Sequence, residues 1–317
     1  MSARAAFRLT EIELELPQWD KVQKLKRLTG CSLTGYMDCY SAMMHDAEAN
    51  REVIVTALNK HPKLAERIEK FLLEKYNITN FIETLSLEEL FLVGLHIQAH
   101  IAVEEYCKEL GIENPHEENP LITTIKPEGT LTLLSKSSSQ GIHCSFAEYY
   151  IRRVRIGVNS PLVKIYTDKG YPCLDENIST DPNKTTKVFE FPIKAVKGIF
   201  KKDITAIEQL ERYKTFMKFY VDHNASNTIE VRRNEWEGVE NWIYDNWDDI
   251  VAISLFSADE NNYYLPPYEE ITKEEYDRRM SQIKIKTNVG MIISASEDED
   301  LSIDSSMECK SGHCPIR

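Results

Sequence analysis

Two cysteines near the end of the 317-residue sequence have a spacing that suits redox chemistry. Cys309 and Cys314 are separated by four residues, one of them a glycine, so their thiols can close a small disulfide loop. Lys310 and His313 favour the thiolate, which is the nucleophile in thiol–disulfide exchange. Two other interpretations stay open on spacing alone: incidental exposed cysteines, or half of a metal site. Two thiols are short of the four ligands that structural zinc requires, so no metal is predicted.

A second candidate site is a turn within residues 123–132 (TTIKPEGTLT), which begins in an apolar stretch. A strand followed by a tight glycine turn rich in hydroxyl groups can direct backbone N–H groups and threonine oxygens at an anion. The segment lacks the Gly-Lys-Ser/Thr order and is therefore not a Walker motif. An ordinary turn is the alternative interpretation on spacing alone.

Two weaker candidates have structural interpretations. Arg152, Arg153 and Arg155 alternate with other residues along an apolar stretch and could bind phosphates, but such a strand is more often a solvated face. His143 precedes Cys144, yet a single His-Cys dipeptide rarely marks an activated nucleophile. We assign no function to either group.

The pattern of apolar residues predicts strands that alternate with helices. Period-2 alternation predicts a strand at 11–16, and Ser86 with Glu89 makes a capping box that starts a helix over 87–110. The other predicted helices begin at Pro17 or cover residues 47–76 with a break at 61–62, residues 204–221 and residues 234–247. The other predicted strands cover residues 121–125, 188–193 (ended by Pro192), 227–231 and 250–256. This alternation indicates an α/β architecture.

Composition limits the class of protein. Lys and Arg number 38 against 51 Asp and Glu, a net charge of −13, which argues against a protein that coats nucleic acid. The sequence has no run of 18 apolar residues and no apolar signal-peptide core, so we expect no membrane partner. Seven cysteines at mostly wide spacings argue against a secreted disulfide framework. We therefore expect a soluble, cytoplasmic protein.

The last 24 residues differ from the rest of the chain. Residues 294–308 include six acids and no base, so this stretch cannot bury enough apolar surface to order itself. We predict one domain over residues 1–293 and a flexible acidic tail over residues 294–317. A mobile tail could carry the terminal cysteine pair between two places.

Six segments in collinear order resemble the adenosylcobalamin-dependent (class II) ribonucleotide reductases, in particular the monomeric type that reduces ribonucleoside triphosphates. They are residues 123–134 (TTIKPEGTLTLL), 149–154 (YYIRRV), 188–194 (VFEFPIK), 235–250 (EWEGVENWIYDNWDDI), 266–270 (PPYEE) and 309–317 (CKSGHCPIR). Residues 26–38, with a Gly-x-Ser-x-Thr-Gly core, also resemble a family segment.

The resemblance implies a chemistry and its partners. In the family, a thiyl radical formed with adenosylcobalamin abstracts the 3′ hydrogen of the ribose, the 2′ hydroxyl leaves as water, and two cysteines supply the electrons. Cys309 and Cys314 match the family's C-terminal pair, which re-reduces the active-site disulfide and is itself reduced by thioredoxin. The turn matches the loop that holds the substrate phosphates. The implied substrate-binding residues are Pro127, Glu128, Gly129, Thr130 and Thr132, although Glu128 stands where some members have Ser or Thr.

One family motif is not found in the sequence. The family's radical cysteine lies in an Asn-x-Cys-x-Glu motif inside a ten-stranded α/β barrel, and none of the seven cysteines has this context. The nearest string ends at Cys107-Lys108-Glu109, has Glu105 in place of Asn, and falls in a predicted helix. The resemblance therefore implies the C-terminal part of the barrel, which would act with a separate N-terminal piece.

A second class of function also stays open. The chain could be a catalytically inactive remnant, or a regulatory module that binds nucleotides through the phosphate loop. Retention of the complete Cys-x4-Cys pair favours the enzyme, because a remnant needs no dithiol shuttle.

Overall fold

Helices make up most of the chain before residue 111, and strands occur after residue 148. The computed structural model describes residues 1–116, 121–128, 132, 139–177, 179–258 and 264–284. Within these ranges the α-helices are α1 (Ser2–Arg8), α2 (Pro17–Lys26), α3 (Tyr36–His45), α4 (Ala47–Lys60), α5 (Pro62–Tyr76), α6 (Phe81–Thr84), α7 (Leu87–Leu110), α8 (Pro161–Asp168), α9 (Ala206–Phe219), α10 (Trp236–Asp245) and α11 (Lys273–Gln282). The strands are β1 (Tyr149–Gly157), β2 (Cys173–Asp175), β3 (Thr186–Lys194), β4 (Thr228–Val231), β5 (Ser254–Ser257) and β6 (Tyr268–Glu270).

The longest helix, α7, begins and ends at its predicted signals. Ser86 Oγ accepts a hydrogen bond from the Glu89 N–H at 3.2 Å, and Glu89 Oε2 accepts one from the Ser86 N–H at 2.7 Å. Gly111 ends the helix at φ +67°, a conformation that glycine adopts without a steric penalty. The predicted helix over 87–110 is confirmed, as is the break between α4 and α5 at His61.

The described residues fall into two units. The first contains residues 1–128, 140–143 and 204–258, and the second contains the described residues of 129–139, 144–203 and 259–317. In the first unit, parallel bridges join Cys31 to Thr123 and Ile125 to Ala225, and β4 pairs in parallel with β5. The chain therefore runs in the same direction through four neighbouring extended segments, near residues 31, 121–125, 225–231 and 254–257.

Helices cover these parallel segments, as parallel strands require on both faces. One apolar cluster joins α1 to α7 and to Ile122; its buried members are Ala3, Phe7, Ala99, Val103, Cys107 and Ile122. A second cluster joins α9 and α10 to β4; its buried members are Ala206, Leu210, Ile229, Val231, Val239 and Trp242. Cys107 is buried in the first cluster and lies in α7, as its predicted helix implied.

The second unit contains an antiparallel sheet with the strand order β2-β3-β1-β6. Arg153 on β1 is only 5% exposed at its side chain and lies opposite Glu190 on β3. Its Nε donates to Glu190 Oε1 at 2.8 Å, and its terminal nitrogens donate to Glu269 and to the Pro266 carbonyl. Arg279 from α11 donates to Glu190 Oε2 at 2.5 Å. The solvated-face interpretation of this arginine strand was therefore wrong for Arg153.

The predicted strand at residues 11–16 does not form. A 3-10 turn covers Leu9–Glu11, and the residues after it fold back against α2. The Leu14 N–H donates to Asp20 Oδ1 at 3.0 Å, and Gln23 Nε2 donates to the Ile12 carbonyl at 3.1 Å. Side chains of one helix thus satisfy backbone groups that a strand would direct at a neighbouring strand.

Other predicted boundaries also shift. Strand β3 continues through Pro192, and β2 pairs with β3 only as far as Phe189, so the missing N–H of Pro192 faces no strand on that edge. Strand β5 (Ser254–Ser257) begins four residues later than the predicted 250–256 and ends one residue later, and the Val251 N–H donates to the Tyr213 hydroxyl instead of to a strand. Helix α10 is shorter than the predicted 234–247.

Other expectations stay predictions. The single domain over 1–293 is not tested, and the acidic tail lies outside the described residues. The sheets among the described residues are part of a mixed α/β fold. They do not amount to the ten-stranded barrel that the resemblance implies. None of the described helices combines the length and apolar character needed to cross a bilayer.

The buried ion-pair network of the second unit gives a test of its packing. Glu190→Gln removes the carboxylate between two arginines and leaves the buried Arg153 under-compensated. We expect a loss of about 3–5 kcal/mol in the free energy of unfolding, measured by urea denaturation. Glu270→Gln removes an exposed ion pair with Lys202, which solvent screens, and should lower the free energy of unfolding far less than Glu190→Gln does. Equal costs for the two variants would contradict the network.

Candidate functional site

The candidate site of the first unit lies where its parallel segments end. In sheets of parallel strands, ligands bind beyond the carboxyl ends of the strands. The segment 121–125 pairs with residue 31 on one side and residue 225 on the other, so its carboxyl end leads directly into Lys126, Pro127 and Glu128. The first residues of the predicted phosphate turn therefore lie at the edge where an α/β fold binds ligands.

Residues 26–38, which resemble a family segment, lie beside this turn. The Lys126 N–H donates to Ser32 Oγ at 2.9 Å, and the Thr124 N–H donates to the Cys31 carbonyl at 3.0 Å. Gly30 permits this approach, because a Cβ at that position would lie 3.0 Å from Thr124 Cγ2. The structure thus brings together two segments that are about ninety residues apart in the sequence and that the resemblance had selected independently.

A short segment at residues 140–143 supports the turn from another side. Gly141 has φ +53°, and a Cβ there would lie 2.4 Å from the Lys126 carbonyl oxygen. His143 Nδ1 lies 3.0 Å from the Gln140 carbonyl and donates to it, while Nε2 accepts the Thr228 N–H at 3.0 Å. Both nitrogens of His143 therefore serve the backbone, which supports the structural interpretation of this histidine.

Two polar atoms of the site are buried without a hydrogen-bond partner in the described part of the chain. They are Thr34 Oγ1, within the Gly-x-Ser-x-Thr-Gly core, and Glu128 Oε2, at the start of the turn. Glu128 also has φ +55°, a left-handed conformation that is uncommon outside glycine. Unpaired buried polar atoms are unfavourable, and they occur where a ligand supplies the missing partner.

The structure locates only some of the predicted site residues. Pro127 and Glu128 are half-buried in the first unit. Thr132 belongs to the second unit, where it is buried and accepts a hydrogen bond from Arg152 at 3.3 Å. The remaining four, Gly129, Thr130, Cys309 and Cys314, lie outside the described residues.

A polar cluster that the sequence analysis missed lies beside the beginning of segment 121–125. Helix α7 contributes His96 and His100, whose ring centroids are 4.3 Å apart, and His100 Nε2 lies 3.0 Å from Asp222 Oδ2. Asp222 Oδ2 also accepts the N–H groups of Ile122 and Thr123 at 2.9 and 3.0 Å. The His-x3-His spacing was a usable signal, whereas nothing local to Asp222 indicates this role.

Burial and charge set the protonation of this cluster. Burial, with His100 nearby, lowers the pKa of His96 to about 4. Burial alone would raise the pKa of Asp222, but the hydrogen bond from His100, the histidine charges and the Thr123 N–H hold it well below its ordinary value. The cluster therefore contains a neutral His96 and an ionised carboxylate at neutral pH.

Comparisons with known proteins agree with the resemblance seen in the sequence. The chain is 29% identical over 223 residues to the adenosylcobalamin-dependent ribonucleoside-triphosphate reductase of Lactobacillus leichmannii, a match that covers 68% of this chain. It is 30% identical over 171 residues, 51% of this chain, to the probable enzyme of that name from Dictyostelium discoideum. A crystal structure of a B-12-dependent (class II) ribonucleotide reductase matches with a TM-score of 0.65 and 21% identity over 94% of this chain.

The resemblance to class II ribonucleotide reductases is confirmed. The match covers 29% of the length of the Lactobacillus leichmannii reductase, 21% of the Dictyostelium discoideum protein and 38% of the class II crystal structure. The structural match indicates a shared mixed α/β fold, at an identity too low to carry function by itself. No family model matches the sequence.

The close approach at Gly141 can be tested with a matched pair of variants. Gly141→Ala places a methyl group against the Lys126 carbonyl and strains a left-handed backbone, so we expect a lower free energy of unfolding by urea denaturation. Gly111→Ala is the control, because it has a similar φ of +67° and no atom within 4 Å of its Cβ. The control should cost roughly 1–2 kcal/mol, and Gly141→Ala should cost clearly more. Equal costs would contradict the described packing of residues 140–143 on the turn.

Proposed function

We propose that this chain provides the phosphate-binding loop and the dithiol shuttle of an adenosylcobalamin-dependent ribonucleoside-triphosphate reductase. The observation that carries the proposal is the site at the carboxyl ends of the parallel segments, which joins two family-like segments and contains Thr34 Oγ1, a buried hydroxyl without a hydrogen-bond partner among the described residues. The reductase names of the curated relatives support the same reaction class.

The substrate is a ribonucleoside triphosphate whose phosphates bind along the turn at residues 127–132. Backbone N–H groups and the hydroxyls of Thr130 and Thr132 are suitable donors to phosphate oxygens. In this role the turn positions the substrate. It holds the triphosphate so that the ribose extends toward the centre of the assembled barrel. Glu128 is at the start of the turn. Because its carboxylate repels phosphate, the phosphate contacts lie further along the turn, at residues 129–132.

The terminal pair returns electrons to the active site by thiol–disulfide exchange. The Cys309 or Cys314 thiolate attacks one sulfur of the active-site disulfide and forms a mixed disulfide with release of the other active-site thiol. The second cysteine of the pair then attacks the first, which releases the remaining active-site thiol and leaves a Cys309–Cys314 disulfide. Thioredoxin, a dithiol reductant, reduces this disulfide with two electrons and two protons.

The curated relatives are named adenosylcobalamin-dependent reductases. Adenosylcobalamin supplies, when bound, the radical that the reaction requires. None of the described residues offers a feature that fits the cofactor specifically.

The radical cysteine must come from elsewhere, since the 317 residues contain no Asn-x-Cys-x-Glu motif. We propose that a separate N-terminal reductase piece supplies it and completes a ten-stranded barrel with the parallel segments of the first unit. Incomplete barrels expose unpaired strand edges, and pairing with the missing strands removes these edges. Stable association of the two pieces is therefore part of the proposal.

Binding of the triphosphate tests the phosphate turn directly. Thr130→Val removes a hydroxyl donor from the turn, and a hydrogen bond to a charged group is worth about 1.5–3 kcal/mol. We expect at least roughly tenfold weaker binding of a ribonucleoside triphosphate by calorimetry, in the assembled complex. Thr56→Val, at an exposed position of α4, is the control and should bind as the unmodified chain does. Equal affinities for both variants would remove Thr130 from the site.

Turnover of the assembled enzyme tests the shuttle. The chain is mixed with an N-terminal piece that carries Asn-x-Cys-x-Glu, a ribonucleoside triphosphate and adenosylcobalamin, and deoxyribonucleotide is measured. We expect turnover with thioredoxin or with dithiothreitol. The Cys309→Ser and Cys314→Ser variants should lose at least about 90% of the thioredoxin-driven rate and keep the dithiothreitol-driven rate, because a small thiol reaches the active site directly.

Cys173→Ser is the matched control, since Cys173 is an exposed cysteine of the second unit. It should leave both rates unchanged. If Cys309→Ser retained thioredoxin-driven turnover, the shuttle assignment would be wrong. If the mixture gave no deoxyribonucleotide with either reductant and the two pieces did not associate, the enzyme proposal would fail in favour of a remnant or regulatory module.

A further inference from the structure

We infer that His96, His100 and Asp222 form a binding site for one divalent transition-metal ion of the zinc class. One ligand atom from each residue lies within 4.8 Å of the other two, and no ion is present. The cluster lies beside the start of segment 121–125, whereas the phosphate turn follows its carboxyl end. The site therefore goes beyond the proposed function and does not depend on it.

The two imidazoles are held on one face of a rigid helix. His96 and His100 are four residues apart in α7, so successive turns bring their rings together, with centroids 4.3 Å apart. The helix has a complete capping box at Ser86 and a glycine end at Gly111, and buried residues along its length fix it in the first unit. A ligand pair on such an element is positioned before any metal binds.

Hydrogen bonding to the backbone directs the lone pair of His96 into the cluster. Its Nδ1 lies 2.8 Å from the Tyr220 carbonyl oxygen, which can only accept, so Nδ1 carries the proton. Nε2 then presents a lone pair toward Asp222 Oδ1, 4.0 Å away, which is also an acceptor. A cation bound between them is attracted to both. Metal-ligating histidines in proteins are oriented in this way, by a carbonyl on the other ring nitrogen.

The carboxylate of Asp222 is fixed by its second oxygen. Oδ2 accepts the N–H groups of Ile122 and Thr123 and faces His100 Nε2 at 3.0 Å, which leaves Oδ1 directed at His96. When Nε2 of His100 binds a metal, the ring is the neutral tautomer that carries its proton on Nδ1. His100 is 16% exposed at its side chain, which gives the ion a route.

The donor set identifies the class of metal. Two imidazole nitrogens and one carboxylate oxygen suit Zn²⁺, Co²⁺ or Ni²⁺, whereas Ca²⁺ and Mg²⁺ prefer oxygen ligands alone. Bond lengths of about 2.0–2.1 Å place tetrahedral ligands roughly 3.3 Å apart, so the side chains must move inward by about 1 Å or less at the longest separation. Three protein ligands leave a fourth position for water.

Cobalt absorption tests the site in the full chain. The protein carries Cys309→Ser and Cys314→Ser so that the terminal thiols cannot bind the metal. We expect Co²⁺ to give visible d–d bands that saturate at one ion per chain, without the near-ultraviolet band of cobalt–thiolate bonds, and to be displaced by Zn²⁺. His100→Ala should weaken Co²⁺ binding at least tenfold, whereas His61→Ala, at an exposed histidine, should not change it.

Circular dichroism of each variant shows whether it is folded. If His100→Ala does not fold, Asp222→Asn replaces it, because the amide oxygen still accepts backbone N–H groups but lacks the carboxylate charge. Saturable binding that both substitutions leave unchanged would overturn the site. Absence of visible cobalt bands in the protein that carries only Cys309→Ser and Cys314→Ser would overturn the site as well.

Discussion

One buried carboxylate determines how the parallel segments of the first unit begin. Asp222 is 4% exposed at its side chain, and its Oδ2 accepts the N–H groups of Ile122 and Thr123, the second and third residues of segment 121–125. Burying a charge is unfavourable unless hydrogen bonds replace its hydration, and here two amides and a histidine do so. The interaction aligns segment 121–125 with the chain that enters β4. This alignment also sets the position at which Lys126 leaves the parallel array and the proposed phosphate turn begins.

The two ends of segment 121–125 use their polar groups differently. Near Asp222, backbone amides, Thr123 and two histidines are joined in one hydrogen-bonded cluster, which suits an end that fixes register. Near Glu128, Thr34 Oγ1 and Glu128 Oε2 are buried without partners among the described residues. Satisfied groups stabilise a fold, whereas unpaired groups have a free-energy cost that a ligand can recover. The unequal distribution leaves the end near Glu128 with polar groups that a ligand can satisfy, whereas the end near Asp222 is already ordered before any ion binds.

Sequence patterns predicted the elements whose causes are local. The capping box at Ser86, the glycine end at Gly111 and the break at His61 depend on residues within one helical turn, and each is confirmed. Burial of Arg153 was not predictable in this way, because Glu190 and Glu269 are 37 and 116 residues away in the sequence. The alternation at residues 11–16 failed for a related reason. A segment with period-2 alternation forms a strand only where a neighbouring strand pairs with it. The residues close to 11–16 in the sequence do not show whether such a neighbour exists.

The contacts of the candidate site also join residues that are distant in the sequence, so local patterns did not predict them. The family resemblance supplied part of the missing information. Spacing alone left the turn at residues 127–132 as an anion loop or an ordinary turn, since Gly, Pro and Thr suit both. The contact of Lys126 with Ser32 links residues 94 positions apart, and no periodicity in either segment indicates it. Both segments were nevertheless selected by resemblance. Glu128 brings a carboxylate to the start of the turn, and a carboxylate repels phosphate. Under the proposed function, a triphosphate is therefore held by donors later in the turn, because backbone amides and threonine hydroxyls carry no opposing charge.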